Sequence, residues 1–385
     1  MELNPQTKER NELFENIFDG KKPSRVPIFT NVDNAFCLEY AGKDLRTQQF
    51  SVEENLEAID ATTRDFHSDD AIGVMFRFPS MYKMLGAKNF VMGSDGFLQH
   101  PNVVGLQVEE YDELIADPMK AIWDRVITRH YSEFGKGGVN ATKAMAKAFH
   151  YFNIKMGFLG QGVAEIANKY GRSTIGFAGK SAASTVPFDT LADQLRSFTG
   201  IMADIRRVPE KVVDACEALL PLAIKAGVLP HSDKYVRTFI PLHMGPYLRN
   251  KDFDKFYWPT FKKMVEGLVD AGTATNIFVE QDYTRFLDHL NDLPEGQVLL
   301  FEYGDPKEIK QKLGDKHIIS GLYPVTLLRN GSKQECVDKA KELVDILAPG
   351  GNYIFSFDKS IIRLNDVNPD NMKAVLDFVQ EYATY

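Results

Sequence analysis

From residue 236 onward the chain falls into a regular rhythm of short apolar runs and longer amphipathic ones. "VRTFIPLH", "TNIFVE", "QVLLFEY", "HIISGLYP" and "NYIFSFD" read as strands, being short, rich in β-branched and aromatic residues, and bounded by turn formers. Residues 258–271 and the stretches "TRFLDHLNDL", "DPKEIKQKLG", "SKQECVDKAKELVDILA" and "PDNMKAVLDFVQEYA" space their apolar side chains by three and four, which predicts helices. Five successive strand–helix units predict parallel strands joined by helical crossovers. Strands that are apolar throughout predict a sheet covered on both faces. A (β/α)8 barrel accounts for this best. The competitor is a doubly wound open sheet, but no GxGxxG follows a strand, which disfavours a dinucleotide-binding sheet.

The first half is less regular. Leu13, Phe14, Ile17 and Phe18 share one face of a predicted N-terminal helix, giving a helical extension over residues 1–25 ahead of the barrel. Short strands are expected at 26–30 and 71–76, and "FVMGSDG" is a third candidate. "FGKGGVN" reads as a flexible loop; without GK[ST] it is no phosphate loop. "PFDTLADQLRSFTGIMADIRRVP" predicts a helix with aspartate or threonine near its start. "PEKVVDACEALLPLAIKAG" predicts another, with Pro209 in the first turn and Gly227 as its stop. No repeat or long linker interrupts the chain, so residues 1–385 are expected to form a single barrel domain.

Composition narrows the function classes. A net charge of −8, with no run of Lys or Arg, argues against a nucleic-acid partner. Cys37, Cys216 and Cys336 are far apart and form no CxxC pair, so a disulfide framework is not expected and a reducing cytoplasm is. The charged N-terminus is not a signal peptide. No stretch approaches the roughly 20 apolar residues of a membrane span. The oligomeric state is open, with a homodimer compatible.

Active sites of such barrels lie at the C-terminal strand ends. His243, Glu280, Glu302, Tyr323 and Asp358 all fall there, on five consecutive predicted strands. Alone, His243 and Glu302 are better explained as structural polar groups, and Glu280 is the stronger candidate; three accidents together, however, would scatter over both barrel ends. Glu280, directly after "NIFV", is expected to face the mouth, where desolvation raises its pKa and suits it to proton transfer. His243, Glu280 and Glu302 also make a candidate zinc set; the alternative is that the acids act as proton donors with no ion. Tyr247 and Tyr323 are candidates for orienting a substrate. Met75 and Phe76, in "MFRFPSMYKMLG", would line an apolar or aromatic pocket if they are not simply core. His317 begins its strand and belongs to the opposite, structural end. His67, Asp69 and Asp70 read as a loop or cap in preference to a metal cluster. The three cysteines read as packing.

"KPSRVPIF", "PFDTLADQLRSFTGIMADIRRVPEKVVDACEALLPLAI", "FIPLHMG", "FYWPTFKKMVEGLVDAG", "LNDLPEGQV", "LGDKHIISGLYPVTLL" and "LAPGGNYIFS" together resemble the uroporphyrinogen decarboxylase superfamily, and within it the corrinoid-dependent methyltransferase branch. The resemblance implies a (β/α)8 barrel with its active site in the mouth. The decarboxylases carry an RQAGR-type motif after the first strand; here the matching place reads "TNVDNAFCLEYAG", with no arginine. Thiol methyltransferases carry HxC on one strand and a Cys on the last; here those places read "FVEQ" and "APGGNY". What remains resembles the methyltransferases of O-demethylation, in which a phenyl methyl ether gives its methyl group to the Co(I) corrinoid of a partner protein. That resemblance implies a methoxylated aromatic substrate, a corrinoid protein as partner, and a protonated Glu or a zinc ion at the ether oxygen. Alternatives are another methyl donor (a methylamine, methanol or a methylthiol), a decarboxylase, or a non-catalytic tetrapyrrole-binding barrel.

Overall fold

The computed structural model describes residues 4–175, 182–228 and 235–385. Its centre is a parallel sheet, β5 (Arg237–Leu242), β6 (Ala274–Val279), β7 (Val298–Phe301), β8 (Ile318–Gly321) and β9 (Tyr353–Ile354), paired in chain order. Ile277, Val279, Leu299, Phe301 and Ile319 are buried, as expected of strands covered on both faces. The N-terminal part closes the ring. Ile28 bridges Phe355 in parallel. β1 (Asn31–Asp33) pairs with β2 (Gly73–Met75), and Asp70 bridges Ser173, while Ala183 bridges Phe239 of β5. The architecture is a (β/α)8 barrel.

The N-terminal helix Pro5–Phe18 starts at an Asn4 cap with Pro5 in its first turn. Its Phe14 and Ile17 pack on Phe29, Val298, Ile318 and Ile354, at the end where the strands begin. His317 is fully buried at that same end, and burial holds its imidazole down at about 4. Asp69 is also there. Arg25 forks onto it, and the Ile28 amide and His67 add to the cluster. The stretch from His67 to Asp69 is a loop, as expected, and Asp69 is the centre of an ion cluster within it.

Two expectations need correction and one is narrowed. "FVMGSDG" holds the expected third strand, but that strand is not part of the barrel. The stretch forms most of a small antiparallel hairpin, β3 (Val91–Met92) with β4 (Leu98–Gln99), outside the ring. The stretch 187–207 is not one helix: Pro187–Thr190 runs into a wider π-type turn, Leu191–Leu195, and breaks at Ser197 (φ +72°), which caps a new helix, Phe198–Arg207. "FGKGGVN" opens the longest helix, Gly138–Lys169. That helix buries small side chains, Ala144, Ala148 and Gly162, while Phe149 and Phe158 are more than half exposed. A Cβ at Gly162 would sit 2.4 Å from Leu56, so glycine sets the close approach to the helix Val52–Asp65. Among the described residues no helix is long and apolar enough to cross a membrane.

Candidate active site at the barrel mouth

Strand β5 delivers the chain to His243, and a buried carboxylate fixes the turn beyond it. Asp189, fully buried, accepts the amides of His243 (3.1 Å) and Met244 (2.9 Å) and the Tyr257 hydroxyl (2.8 Å). Burial pushes Asp189 up to about 7, against the pull of the nearby imidazole. One turn on, Asp193 lies 2.6 Å from His243 Nδ1. Two acids four apart in a helix repel one another; the imidazole they flank offsets that cost.

The other ring nitrogen, Nε2, faces Glu280 at 3.4 Å. The half-buried imidazole therefore has a carboxylate on each side. Burial alone would lower its pKa, but the Asp193 hydrogen bond and the charges of Asp189, Asp193 and Glu280 outweigh it and hold His243 at about 9. Glu280 is itself raised, first by burial and then by Glu302 and Asp193. Asp358 is pushed up to about 6 by burial, although it accepts the Val325 amide at 3.1 Å. The mouth thus gathers more carboxylates than cations, and such a site takes up protons.

Glu302 stands at the end of β7, as its sequence position implies, but both its oxygens are engaged: one with Lys359 Nζ (2.6 Å), the other with the Gln281 amide (2.8 Å). That second bond steadies Gln281 at φ +64°, a conformation uncommon for a residue with a side chain. Gln281 Nε2 in turn donates to the Tyr247 hydroxyl at 2.7 Å, and the exposed Tyr247 ring meets Phe198 edge-on. His243, Glu280, Glu302 and Tyr247 are therefore linked. His243, Glu280 and Glu302 do not converge as a metal set, because Glu302 is spent on Lys359 and Gln281. Among the described residues no three His, Cys, Asp or Glu side chains form a group that could hold a metal ion. Tyr323 is a further correction. Its side chain is fully buried against Phe355 and Phe357, and its hydroxyl donates to the Cys336 carbonyl, so it cannot touch a substrate in the mouth.

Met75 is exposed at the end of β2, and Phe76 is half-buried beside Phe78, across the ring from Glu280. Three residues of the site were not singled out from sequence: Asp189, Asp193 and Lys359. The spacing D-x-x-x-D was the available signal, hidden because an acid near a helix start is ordinarily a cap. His100 also belongs to the surroundings. Backbone bonds from Gly105 and Leu106 to Leu195 lay its segment along the Asp189–Asp193 turn. Its ring stacks on Phe90 (4.5 Å, 6°), and Phe90 stacks on Tyr82. Burial lowers the His100 pKa, and the Asp193 and His243 charges both act on it. A cleft of about 450 Å³ lined by Glu39, Lys43, Asp44, Arg46, Asp95 and Arg363 does not include this site; its cations are already paired with acids.

Acids around one imidazole, at the C-terminal mouth of a (β/α)8 barrel, place the polar site where barrel proteins do their chemistry. Residues 180–382 match the family described as uroporphyrinogen decarboxylase (URO-D), more than half of the chain, and the protein belongs to that family. No curated protein matches its sequence. Among solved structures, a methyltransferase from Methanosarcina mazei is similar over 98% of both chains, with a TM-score of 0.63 and 12% identity, a likeness of fold.

Proposed function

We propose that the protein is a methyltransferase that cleaves a methoxylated aromatic and passes the methyl group to the reduced corrinoid of a partner protein. The observation that carries this is the imidazole–carboxylate pair His243–Glu280, held in a proton-rich mouth beside aromatic rings. The partner's corrinoid supplies the nucleophile and takes the methyl carbon, so this chain needs no nucleophile of its own. Its task is the leaving group. As the carbon–oxygen bond breaks, its electron pair stays on oxygen, and a phenolate would be expelled. The pair His243–Glu280 shares a proton that it gives to that oxygen, and neutral phenol departs. Asp193 holds the ring, Glu302 keeps Glu280 raised by its charge, and Tyr247 with the Tyr82–Phe90–His100 stack offers faces to the substrate ring. No step runs through zinc.

An acid-rich mouth is poorly suited to a tetrapyrrole with many carboxylates, which disfavours decarboxylation of such a substrate. The test is anaerobic incubation with a reduced corrinoid protein and a panel of methoxylated phenols, following the corrinoid spectrum and phenol release. Methylation of the corrinoid with at least one substrate is expected, and none with any would end the proposal. Glu280→Gln should lower kcat by about 10²- to 10⁴-fold, the usual worth of general acid help; full activity would remove Glu280 from the mechanism while leaving the reaction.

A further inference from the structure

The helix Gly138–Lys169 carries an apolar side that no other described residue covers. Phe149 and Phe158 are 59% and 58% exposed, Ile154 and Met156 44% and 40%. A single exposed apolar residue needs no explanation, but four large ones within about three turns of one helix make a patch. Between residues 148 and 164 the one lysine, arginine, aspartate or glutamate is Lys155, and its ammonium is spent on the Phe50 carbonyl. Glycine marks the same side. A Cβ at Gly157 or Gly160 would meet nothing within 4 Å, unlike Gly162, whose place against Leu56 demands glycine. Glycine inside a helix is less stable than alanine, and nothing among the described residues calls for these two. Ala146 and Ala164 continue the small exposed side chains along that side. Phe149 and Met156 border the glycines on one flank.

On the other flank runs a stripe of exposed residues, Lys147, Ile154, Phe158 and Glu165. Its spacing of seven, four and seven residues keeps all four on one line of the helix, and that spacing reads the same from either end. Among the described residues Glu165 accepts only from Gln161 (2.9 Å), and Lys147 has no acid beside it. Laid antiparallel on a second copy, the stripe sets Ile154 against Phe158 and Lys147 against Glu165, twice over. A parallel copy would set Lys147 on Lys147 and Glu165 on Glu165. The chain itself thus supplies the surface that complements this one, as a two-fold interface requires. We propose that this side is the interface of a homodimer, in which the helix packs antiparallel on its copy about a two-fold axis at the level of Met156. Gly157 and Gly160 then let the two backbones approach closely. The uncharged stretch is about 25 Å long. Two such helices alone make a small interface, so a dimer that dissociates in the micromolar range is expected. The inference is independent of the proposed methyl transfer.

Sedimentation velocity of the full-length protein from about 1 to 200 µM follows the equilibrium. A dimer should form over that range. Phe158→Glu should weaken it about 100-fold, because two aromatic rings leave the interface. Its urea midpoint should stay that of the wild type, because the side chain is exposed in the monomer. Charge tests the direction of pairing. Lys147→Glu and Glu165→Lys should each weaken the dimer about 10-fold, since each sets like charges together twice, and the double variant should restore it. A monomer at every concentration, a dimer indifferent to Phe158→Glu, or a double variant no better than the single ones overturns the inference. Binding to vesicles of anionic phospholipid by a protein that stays monomeric, lost in Phe158→Glu, overturns it too and gives the face to a membrane.

Discussion

At the scale of single residues, the charge of His243 decides how the mouth behaves. With the ring at about 9, it is a cation at neutral pH and the high-pH limb of activity should follow its loss. Asp193→Asn can keep a hydrogen bond to Nδ1 but removes a negative charge. The imidazole should then titrate closer to its ordinary 6.5, and that limb should move to lower pH. A pH–rate profile checks this; a limb unmoved by the substitution would separate the rate from His243. The same group links pH to stability. Its folded pKa lies above its unfolded one, so its contribution is fully present below about 6.5 and is lost as pH rises through about 9. Thermal midpoints of His243→Asn should lack that alkaline fall, whereas the wild-type protein should show it. His243, Glu280 and Glu302 were legible because each ends a strand whose pattern is plain. Asp189 and Asp193 were not, because their function is visible only once β5 lies beside them, some fifty residues later.

At the scale of elements, regular pattern was readable and its interruptions were not. The strand–helix units after residue 236 follow hydrophobic period closely, since both faces of each strand and one stripe of each helix are buried. The helix Gly138–Lys169 breaks that logic: apart from Leu159 its buried residues are alanine and glycine, while Phe149 and Phe158 stand outside, so the spacing of its largest apolar side chains does not mark its buried face. The turn after β5 is a second interruption with a cost that can be measured. A Cβ at Gly245 would lie 2.2 Å from the Tyr283 hydroxyl, and Tyr283 is fully buried with no room to retreat. Gly245→Ala should destabilise by about 1–3 kcal/mol, as overpacking does, seen as a lower urea midpoint. Tyr283 leans on the Asp189–Tyr257 network, so activity of the folded fraction should fall as well. Unchanged stability would mean that this turn yields more readily than its packing implies.

At the scale of the whole molecule, the two ends of the barrel divide the work. The mouth holds excess acid with raised pKa values; the opposite end holds Asp69, buried and matched by Arg25, with Arg10 at 3.6 Å and His67 at 3.3 Å. This cluster ties the N-terminal helix and the first two strands together, and it was hidden from sequence because Arg10 and Arg25 lie far upstream of Asp69. Burial pushes the Asp69 carboxyl up, but the Arg25 and His67 bonds and charges overcome it and hold it well below the usual carboxylate range. A depressed folded pKa gives stability that is present above the unfolded value of about 4 and lost as pH falls through the folded one. Asp69→Asn leaves Arg25 buried without its anion, which should cost about 3–5 kcal/mol at neutral pH. It should also make the acid side of the stability profile shallower, because one of the carboxyls held low by arginines is gone, while Glu110 and Asp252 still titrate there. The alkaline side, set by His243 at the far end of the barrel, should keep its shape, and kcat per folded molecule should not change. Chemical denaturation from pH 3 to 10 reads both limbs in one experiment. Movement of the alkaline limb in Asp69→Asn would show that the two ends are coupled through the barrel and do not titrate independently.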